Sequence, residues 1–450
     1  MSKLFGTDGI RGKANEYPIT PEIALWTGKA IARFFTKNGE RTPRAVIGKD
    51  TRLSGYMLET ALTSGLVSMG MDVFEIGPLP TPAVAHLTKS MCADCGIMIT
   101  ASHNPASDNG IKIFDSEGYK LPDEIEAQIE ADVLQMIRGN NLGGSTGIGK
   151  AFRIDDARGR YIEFAKSSIR NNSLAGLRAV MDCANGAAYY IAPLILKELG
   201  VDLIRTATSP DGTNINKGCG AMVPQNMVRL VKDYNADIGI SLDGDADRVI
   251  FSDHLGNIVN GDRIIGLCAL DYKKRGRLAH NTIAVTSMSN LGLIDAMEQA
   301  GIHTEITPVG DRYVIEKMRE LDLNLGGEQS GHLIFHDYAT TGDGLISALH
   351  VARVMKRENK SLNELAAGFM EDYPQILINI PVKEKVPFET LPELQEMIQK
   401  AEKSLAKSGR VMVRYSGTEN KCRVLVEAKR KDEAENWSKT LCETIKKVLV

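Results

Sequence analysis

Ser102 is the residue of this chain best placed to act as a nucleophile. It follows the apolar run Gly96-Ile-Met-Ile99, which predicts a buried strand, and lies in the polar turn Thr100-Ala-Ser-His-Asn-Pro105. The spacing G-x-S-x-G of a hydrolase nucleophile elbow is absent. His103 is a poor partner base, because adjacent residues of an extended chain point to opposite faces. Other polar side chains downstream could assist Ser102, namely Asn104, Asn109 and Lys112. A lysine can donate to a phosphate, or act as a base if it is desolvated.

A second set of residues suits a hard cation. Asp243, Asp245 and Asp247 alternate in a turn between two predicted strands. Three carboxylates brought together would repel one another without a cation, and oxygen ligands favour Mg²⁺, Mn²⁺ or Ca²⁺ over zinc. The pattern is not an EF-hand calcium loop, since Arg248 takes its sixth position and His254 its twelfth. A serine nucleophile that acts together with a divalent cation indicates phosphoryl transfer, and Arg248 could bind the phosphate.

Two further loops could bind a phosphorylated sugar. In the loop 326–332, Glu328 can accept hydrogen bonds from sugar hydroxyls and Ser330 can donate to them. Arg414 and Arg423 flank a loop rich in hydroxyl groups, and guanidinium groups bind phosphate through paired hydrogen bonds. Weaker candidates for holding an anion are Arg11 and Arg312.

The elements that must position these loops form a recurring pattern. A strand, a polar turn, a helix ending near glycine and a second strand follow one another at 45–76, 179–204 and 283–306, each a βαβ unit. Their wide spacing predicts three similar mixed α/β domains rather than a solenoid. After Pro374 the pattern changes to that of a small α+β domain. We therefore expect four domains, at 1–150, 151–256, 257–370 and 371–450. One motif falls in each, which predicts a cleft where the four domains meet.

The composition excludes several classes of protein. The 54 Lys+Arg residues nearly balance the 57 Asp+Glu residues, leaving a net charge of −3, so nucleic acid and membrane partners are not expected. No apolar stretch approaches the roughly 20 residues that cross a bilayer, and the N-terminus lacks the apolar region of a secretory signal. The seven cysteines, including the CxxC pair Cys92 and Cys95, fit reduced thiols. A cytoplasmic enzyme is expected.

The four motifs together resemble those of the α-D-phosphohexomutase superfamily. TASHNP, DGDADR, GEQSGH and RYSGTE are similar to its phosphoserine, metal, sugar and phosphate loops, in the same order and over essentially the full chain. The resemblance implies three mixed α/β domains and a C-terminal domain of the TATA-box-binding-protein-like fold around one central cleft. It also implies one Mg²⁺ per chain, a sugar phosphate as substrate and a sugar 1,6-bisphosphate as activator.

The resemblance also implies roles for particular residues. Ser102 would carry a phosphate in the resting enzyme, and that phosphate would ligate the metal together with the three aspartates, Asp243, Asp245 and Asp247. The residues expected to act in catalysis are Ser102, Lys112, Arg248 and His332, with Lys112 and His332 as candidates for general base and acid. The residues expected to bind substrate are Arg11, His103, Glu328, Ser330, Arg414, Ser416, Gly417, Thr418 and Arg423.

The choice of sugar rests on two more stretches. FGTDGIRG at 5–12 and VGDRYV at 309–314 most resemble the branch that interconverts glucosamine 6-phosphate and glucosamine 1-phosphate for cell-wall precursor synthesis. Glucose or mannose phosphate stays an alternative, because Tyr415 and Asn420 stand where that branch usually has prolines. A metal-dependent sugar phosphatase and a catalytically silent sugar-phosphate sensor are further alternatives. Analogy with similar enzymes suggests a homodimer.

Overall fold

The computed structural model describes residues 4–6, 8–36, 41–140, 147–415 and 420–449. Their backbone contacts divide the chain into two units, of which the first joins Met1–Ser287 with Ile302–Gly368 and the second joins Met288–Gly301 with Phe369–Val450. The first unit contains three mixed sheets and the second contains one antiparallel sheet.

The first sheet has seven strands in the order β1-β2-β6-β5-β3-β4-β7. These strands are β1 Phe5–Gly6, β2 Gly9–Lys13, β3 Arg44–Lys49, β4 Asp72–Pro78, β5 Cys95–Ile99, β6 Asp108–Asp115 and β7 Ala151–Arg153. The helices of this region are α1 Pro21–Thr36, α2 Ser54–Ser68, α3 Thr81–Ser90 and α4 Asp123–Ile137. All five residues of β5 are buried without alternation, as expected for a strand covered on both faces. Since β3 and β5 are parallel neighbours, the loops that follow them meet at one edge of the sheet.

The second sheet has five strands in the order β12-β11-β10-β8-β9. They are β8 Arg178–Asp182, β9 Asp202–Thr206, β10 Ile238–Leu242, β11 Val249–Asp253 and β12 Ile258–Val259, with helices α5 Ala157–Ser168, α6 Ile191–Glu198 and α7 Gln225–Asp233. Strands β10 and β11 are antiparallel, and their last pair is Leu242 with Val249. The three aspartates of the metal motif therefore lie in a six-residue hairpin loop, 243–248.

The third sheet has four strands in the order β14-β13-β15-β16. They are β13 Thr282–Thr286, β14 His303–Thr307, β15 Leu325–Gly327 and β16 Leu333–Phe335, and the helices in the first unit are α8 Gly261–Lys274, α10 Asp311–Glu320, α11 Gly344–Glu358 and α12 Leu362–Ala367. The antiparallel pairing of Gly327 with Leu333 closes a hairpin that carries Glu328, Ser330 and His332.

The second unit is a small α+β structure. Its strands pair antiparallel in the order β17-β19-β18, and they are β17 Gln375–Pro381, β18 Gly409–Tyr415 and β19 Lys421–Ala428. Its helices are α9 Leu291–Gln299, α13 Pro392–Leu405 and α14 Lys431–Leu449. Buried residues of the sheet and of the last two helices, such as Val424, Leu394 and Leu441, form one core.

The predicted mixed α/β sheets and the C-terminal α+β structure are confirmed by these sheets. Each of the three βαβ units is present, and the change of pattern after Pro374 is the start of the antiparallel sheet. Of the loop predicted at 139–149, residues 141–146 lie outside the described residues. All seven cysteines are free, and Cys95 of the CxxC pair is buried in β5. Among the helices described, none combines the length and the apolar character needed to span a bilayer.

Candidate active site

Ser102 lies in the turn between the antiparallel strands β5 and β6, on the edge where β3 also ends. Its φ of 51° is in the left-handed region, which few non-glycine residues adopt. The backbone N–H of Ser102 donates to Thr100 Oγ1 at 2.8 Å, and this contact stabilises the unusual turn. The side chain is buried, and its hydroxyl donates to Asp243 Oδ2 at 2.6 Å. The predicted nucleophile is thus in contact with the predicted metal motif.

His103 is closer to Ser102 than an extended strand would allow. The distance from Ser102 Oγ to His103 Nδ1 is 3.3 Å, so the expectation that the two side chains diverge is wrong. The reason is the left-handed backbone at Ser102, which replaces strand geometry with a tight turn. Burial, with the positive charges of Arg248 and Arg11, lowers the pKa of His103 to about 4. Arg248 Nη1 is 3.3 Å from Nδ1, and since a guanidinium only donates, Nδ1 is the acceptor of a neutral ring.

Asp243, Asp245 and Asp247 converge in the hairpin loop. Each offers a carboxylate oxygen, and these oxygens lie within 4.8 Å of one another in a buried position; among the residues described, no other His, Cys, Asp or Glu group does this. Burial and the neighbouring charges of Asp247 and Asp245 hold the pKa of Asp243 well above its usual range. Oδ1 of Asp245 and Oδ1 of Asp247 are buried and accept no hydrogen bond from the residues that the structure describes. An all-oxygen, negatively charged group with unused acceptors fits a divalent cation such as Mg²⁺.

The metal loop, residues 243–248, is held in place by the first residues of two helices. Thr81, the first residue of α3, donates from Oγ1 to Asp245 Oδ2 at 2.6 Å and from its backbone N–H to the Asp245 carbonyl at 3.0 Å. Gly344, the first residue of α11, donates to the Ala246 carbonyl at 3.0 Å. The position of the metal loop therefore depends on the N-termini of α3 and α11. Neither helix carries a residue that the sequence analysis predicted for the site, so the role of Thr81 was missed.

Lys112 projects from β6 toward the same carboxylates. Its Nζ lies 3.1 Å from Asp245 Oδ2, 3.4 Å from Asp247 Oδ2 and 3.4 Å from Asp8 Oδ2. Burial alone would lower the pKa of Lys112, but Asp245, Asp8 and Asp247 raise it above its ordinary value. A lysine that stays protonated is suited to donate to a phosphate rather than to remove a proton.

A second charged network was missed by the sequence analysis. Asp8 accepts a hydrogen bond from Arg11 and one at 2.6 Å from Lys120 Nζ, which also donates to Asp311 Oδ2 at 2.6 Å. Burial would raise the pKa of Asp8, but the charges of Lys112, Lys120 and Arg11 hold it well below its usual range. Asp8 and Asp311 belong to the stretches FGTDGIRG and VGDRYV, in which only the arginines were considered.

His332 lies between this network and the metal loop. Its side chain is buried, with Nδ1 3.8 Å from Asp247 Oδ1 and Nε2 3.4 Å from Asp311 Oδ2. The backbone N–H of Gly342 donates to Nε2 at 2.9 Å, which places the ring proton on Nδ1. The Gly342 N–H thus orients an imidazole whose pKa, against the effect of burial, is raised by the carboxylates of Asp311 and Asp247, and this ring could exchange a proton.

The predicted sugar loop brings Glu328 and Ser330 together. Ser330 Oγ donates to Glu328 Oε2 at 3.3 Å, and the Gly310 backbone N–H donates to Glu328 Oε1 at 3.1 Å. Ser330 is exposed and Glu328 is nearly buried, so the pair offers both a donor and an acceptor at a surface. Arg312 does not join them, since it pairs with Asp123 and with Glu316.

The predicted phosphate loop belongs to the second unit. Arg414 of β18 and Arg423 of β19 are directly opposite in the antiparallel register. Burial and the charge of Arg423 lower the pKa of Arg414. Two cations that face each other across a sheet repel, and an anion bound between them would relieve that repulsion. The predicted residues Ser416, Gly417 and Thr418 lie outside the described residues.

Comparisons with known proteins agree with this arrangement. Family models for phosphoglucomutase/phosphomannomutase match the alpha/beta/alpha domains I, II and III at residues 2–137, 159–256 and 260–373, and the C-terminal domain at 377–444. A curated relative from Geotalea uraniireducens, named phosphoglucosamine mutase, is 51% identical over 448 residues, which are 99% of this chain and 98% of the relative. Another of that name, from Syntrophotalea carbinolica, is 52% identical over 438 residues, or 96% of this chain and 94% of the relative.

Solved structures share the fold at lower identity. A phosphoglucomutase/phosphomannomutase family protein from Burkholderia thailandensis matches with a TM-score of 0.83 and 23% identity, over 99% of this chain and 97% of its own. The N-acetylphosphoglucosamine mutase of Aspergillus fumigatus, solved with GlcNAc-6P and magnesium, matches with a TM-score of 0.66 and 18% identity, over 99% and 95%. The predicted resemblance and enzyme class are confirmed by the curated relatives and the family models. The chain is a mutase that belongs to the phosphoglucosamine mutase branch of the phosphoglucomutase/phosphomannomutase family.

Proposed function

We propose that this mutase interconverts glucosamine 6-phosphate and glucosamine 1-phosphate through a phosphorylated Ser102. The observation that carries the proposal is the 2.6 Å hydrogen bond from Ser102 Oγ to Asp243 Oδ2, which puts a hydroxyl nucleophile against an acidic group suited to a divalent cation. The shared name of relatives about half identical to this chain supports the amino sugar as substrate.

The reaction consists of two phosphoryl transfers in opposite directions. In the first, the free hydroxyl oxygen of the sugar phosphate attacks the phosphorus on Ser102, the bond from phosphorus to Ser102 Oγ breaks, and the hydroxyl proton passes to a base. The product is glucosamine 1,6-bisphosphate. After the sugar turns end for end, Ser102 Oγ attacks the other phosphorus, and the oxygen released from the sugar takes back a proton. Both transfers depend mainly on positioning and electrostatics.

The residues of the first unit divide this work. A bound Mg²⁺, held by Asp243, Asp245 and Asp247, would supply positive charge for the transferring phosphoryl group. Lys112, which stays protonated, donates to the oxygens of that group, and Arg248 adds a second cation. His332 is the stronger of the two predicted proton carriers, because Gly342 orients its ring while, against the effect of burial, Asp311 and Asp247 raise its pKa, so that the imidazole can take up and return a proton.

Substrate recognition uses the remaining predicted residues. Glu328 and Ser330 bind sugar hydroxyls, with Arg11 and His103 as further contacts at the reacting end. Arg414, Arg423 and the loop Ser416, Gly417 and Thr418 hold the phosphate that does not react. A sugar 1,6-bisphosphate rephosphorylates Ser102 when the intermediate escapes. The divisions of the chain at 150, 256 and 370, a cytoplasmic location and a homodimer stay predictions.

A direct assay decides the sugar and the reaction. The purified chain is mixed with Mg²⁺, a trace of glucose 1,6-bisphosphate and the 6-phosphate of glucosamine, glucose or mannose, and the products are followed by ³¹P NMR. We expect the 1-phosphate of glucosamine to form fastest, and Ser102→Ala to bind the sugar phosphate without converting it. A large preference for mannose or glucose phosphate would reject the amino sugar. Release of inorganic phosphate faster than the isomer would indicate a phosphatase.

A further inference from the structure

Arg52 is a fully buried cation whose contacts are almost all with the Ser102 loop. Its guanidinium donates to backbone carbonyls of that loop at 2.9–3.0 Å and in one shorter contact: to Ser102 and Asn104 from Nη2, and to Asp108 and Pro105 from Nη1. Nε donates to Asp50 Oδ2 at 2.8 Å. The same carboxylate oxygen accepts from Thr100 Oγ1, which in turn accepts from the Ser102 N–H. The buried ion pair of Arg52 and Asp50 therefore holds the loop from the end of β5 to the start of β6.

Asn216, in the segment between β9 and α7, contacts the same Ser102 loop. Its Nδ2 donates to the Ser102 carbonyl at 2.9 Å and to the Asn104 carbonyl at 3.0 Å. Asn216 is itself anchored, because its backbone N–H donates to the Ala184 carbonyl at 2.9 Å. Arg52 and Asn216, which are 164 positions apart, thus share two acceptors, and each of the two carbonyls accepts from both side chains.

We propose that Arg52 and Asn216 are positioning residues that fix the orientation of the Ser102 peptide for phosphoryl transfer. A carbonyl that accepts from two sides cannot rotate away without losing both hydrogen bonds, so the peptide planes between Ser102 and His103 and between Asn104 and Pro105 are held. This matters because Ser102 has a left-handed backbone, which persists only when its surroundings over-determine it. The inference rests on the proposed function, since it assigns these residues to the transfer through Ser102.

The metal loop packs against the same point. A Cβ added to Gly244 would lie 2.5 Å from the Ser102 carbonyl oxygen and 2.9 Å from Asn216 Nδ2. The backbone between Asp243 and Asp245 is therefore in close contact with the carbonyl that Arg52 and Asn216 hold. A shift of that carbonyl would change the distance between Ser102 Oγ and the three carboxylates. In-line transfer is sensitive to displacements of this kind, so the effect belongs to the chemical step rather than to sugar binding.

The decisive variant is Asn216→Gly, with Asn235→Gly as its matched control. Both asparagines have a left-handed backbone, with φ of 57° and 50°, which glycine adopts without strain. Asn235 is exposed in the turn after α7, and none of its side-chain atoms reaches the Ser102 loop in the hydrogen bonds of the described residues. The readouts are kcat, KM, the melting temperature and the rate at which glucose 1,6-bisphosphate phosphorylates Ser102, followed by intact mass.

The expected result separates positioning from folding. Asn216→Gly should lose about tenfold in kcat and in the phosphorylation rate, with KM changed by less than about twofold. Its melting temperature should lie only slightly below that of Asn235→Gly, because two hydrogen bonds are lost, and the rates of Asn235→Gly should equal the wild-type rates. Rates per folded molecule equal to those of the wild type, with or without a lower melting temperature, would overturn the proposal.

A second variant tests the other side of the loop. Arg52→Lys keeps the charge beside Asp50 but cannot reach four carbonyls, and we expect a larger loss of both rates than in Asn216→Gly. If Arg52→Lys does not fold, Asn216→Gly alone decides. A wild-type chain that does not convert glucosamine phosphates would refute the proposed function, yet the phosphorylation rates of Ser102 would still compare variant with control. The two failures are therefore distinguishable.

Discussion

The Ser102 hydroxyl donates a 2.6 Å hydrogen bond to Asp243 Oδ2, across 141 positions of sequence. The contact joins the turn after β5 in the first sheet to the hairpin loop between β10 and β11 in the second. A phosphoryl group on Ser102 would bring more negative charge to three buried carboxylates, which only a cation can offset. Phosphorylation of Ser102 and occupancy of the metal site are therefore coupled.

Replacing Asp243 by asparagine should remove metal binding without harming the metal-free fold. In the wild type, Mg²⁺ at about 100 times its Kd should stabilise the native state by about 2.7 kcal/mol. In Asp243→Asn this gain should vanish, while in EDTA the variant should melt at or above the wild-type temperature, because one of three repelling carboxylates is gone. Thermal unfolding with and without EDTA measures both effects. The control Asp233→Asn, at an exposed position of α7, should keep the rise in melting temperature that Mg²⁺ causes. If Asp243→Asn melts below the wild type in EDTA, the three carboxylates do not repel one another as argued.

Replacing Gly342 by alanine should displace His332. The added Cβ would lie 2.5 Å from His332 Nε2 and 2.6 Å from the Asp247 carbonyl oxygen, so the ring must move and lose its fixed orientation. We expect a destabilisation of about 1–3 kcal/mol from overpacking and a fall in kcat of about tenfold or more. Steady-state kinetics and urea unfolding check the two effects. Gly159→Ala on α5, where a Cβ meets nothing within 4 Å, should leave kcat unchanged, and equal kcat in both variants would count against His332.

The sequence pattern predicted the separate loops far better than their contacts. Ser102, the three aspartates and Glu328 could be proposed because each follows a recognisable strand with residue types that suit one chemistry. Thr81 and Gly342 could not, because their contribution is a contact with a residue distant in sequence, and neither stands in a motif. The βαβ units were readable from local periodicity alone, since their strands and helices are bounded by glycine and polar turns.

The contacts between charged side chains could not be predicted from local sequence patterns either. Asp8 and Asp311 stand in stretches already singled out, but their role depends on Lys120, which bridges them at 2.6 Å to each. The expectation about His103 failed for a backbone reason, because a left-handed Ser102 has no signal in residue type. Burial lowers the pKa of His103, whereas the carboxylates of Asp245, Asp8 and Asp247 keep Lys112 protonated, and both effects follow from contacts between distant segments rather than from one segment.

Replacing Arg414 by glutamine should raise KM more than it lowers kcat. Removing one of two facing cations weakens the grip on the phosphate that does not react, and we expect KM to rise about tenfold or more. The second unit itself should gain up to about 1 kcal/mol in the absence of phosphate, because the like-charge pair with Arg423 is gone. Kinetics with both sugar phosphates and unfolding in phosphate-free buffer test this. The exposed Arg430→Gln is the control, and an unchanged KM in Arg414→Gln would remove that residue from the phosphate site.

His350 should make the protein less stable as the pH falls. Burial and nearby guanidinium groups lower the pKa of this residue to about 3, against about 6.5 in an unfolded chain. The guanidinium groups are those of Arg353, Arg277, Arg275 and Arg357. Below pH 6.5 the unfolded state therefore binds a proton that the native state does not, and by pH 5 this costs about 2 kcal/mol.

His350→Phe should remove that dependence. A phenyl ring fits beside Phe335, whose ring centroid lies 4.4 Å from that of His350. The drop in the urea midpoint between pH 7.5 and pH 5 should be smaller in this variant than in the wild type, whereas the exposed His303→Gln should keep the wild-type drop. Equal drops in His350→Phe and the wild type would show that the native state does not hold the pKa of His350 below that of the unfolded chain.

Transfer of a phosphoryl group through Ser102 is tested most directly by intact-mass analysis and peptide mapping of the freshly purified chain. We predict a species heavier by one phosphoryl group on the peptide that contains Ser102, absent from Ser102→Ala, and lost to a glucosamine bisphosphate when glucosamine 6-phosphate is added. A chain that is unphosphorylated in repeated preparations, stays so after incubation with glucose 1,6-bisphosphate and Mg²⁺, and still converts its substrate would contradict the mechanism.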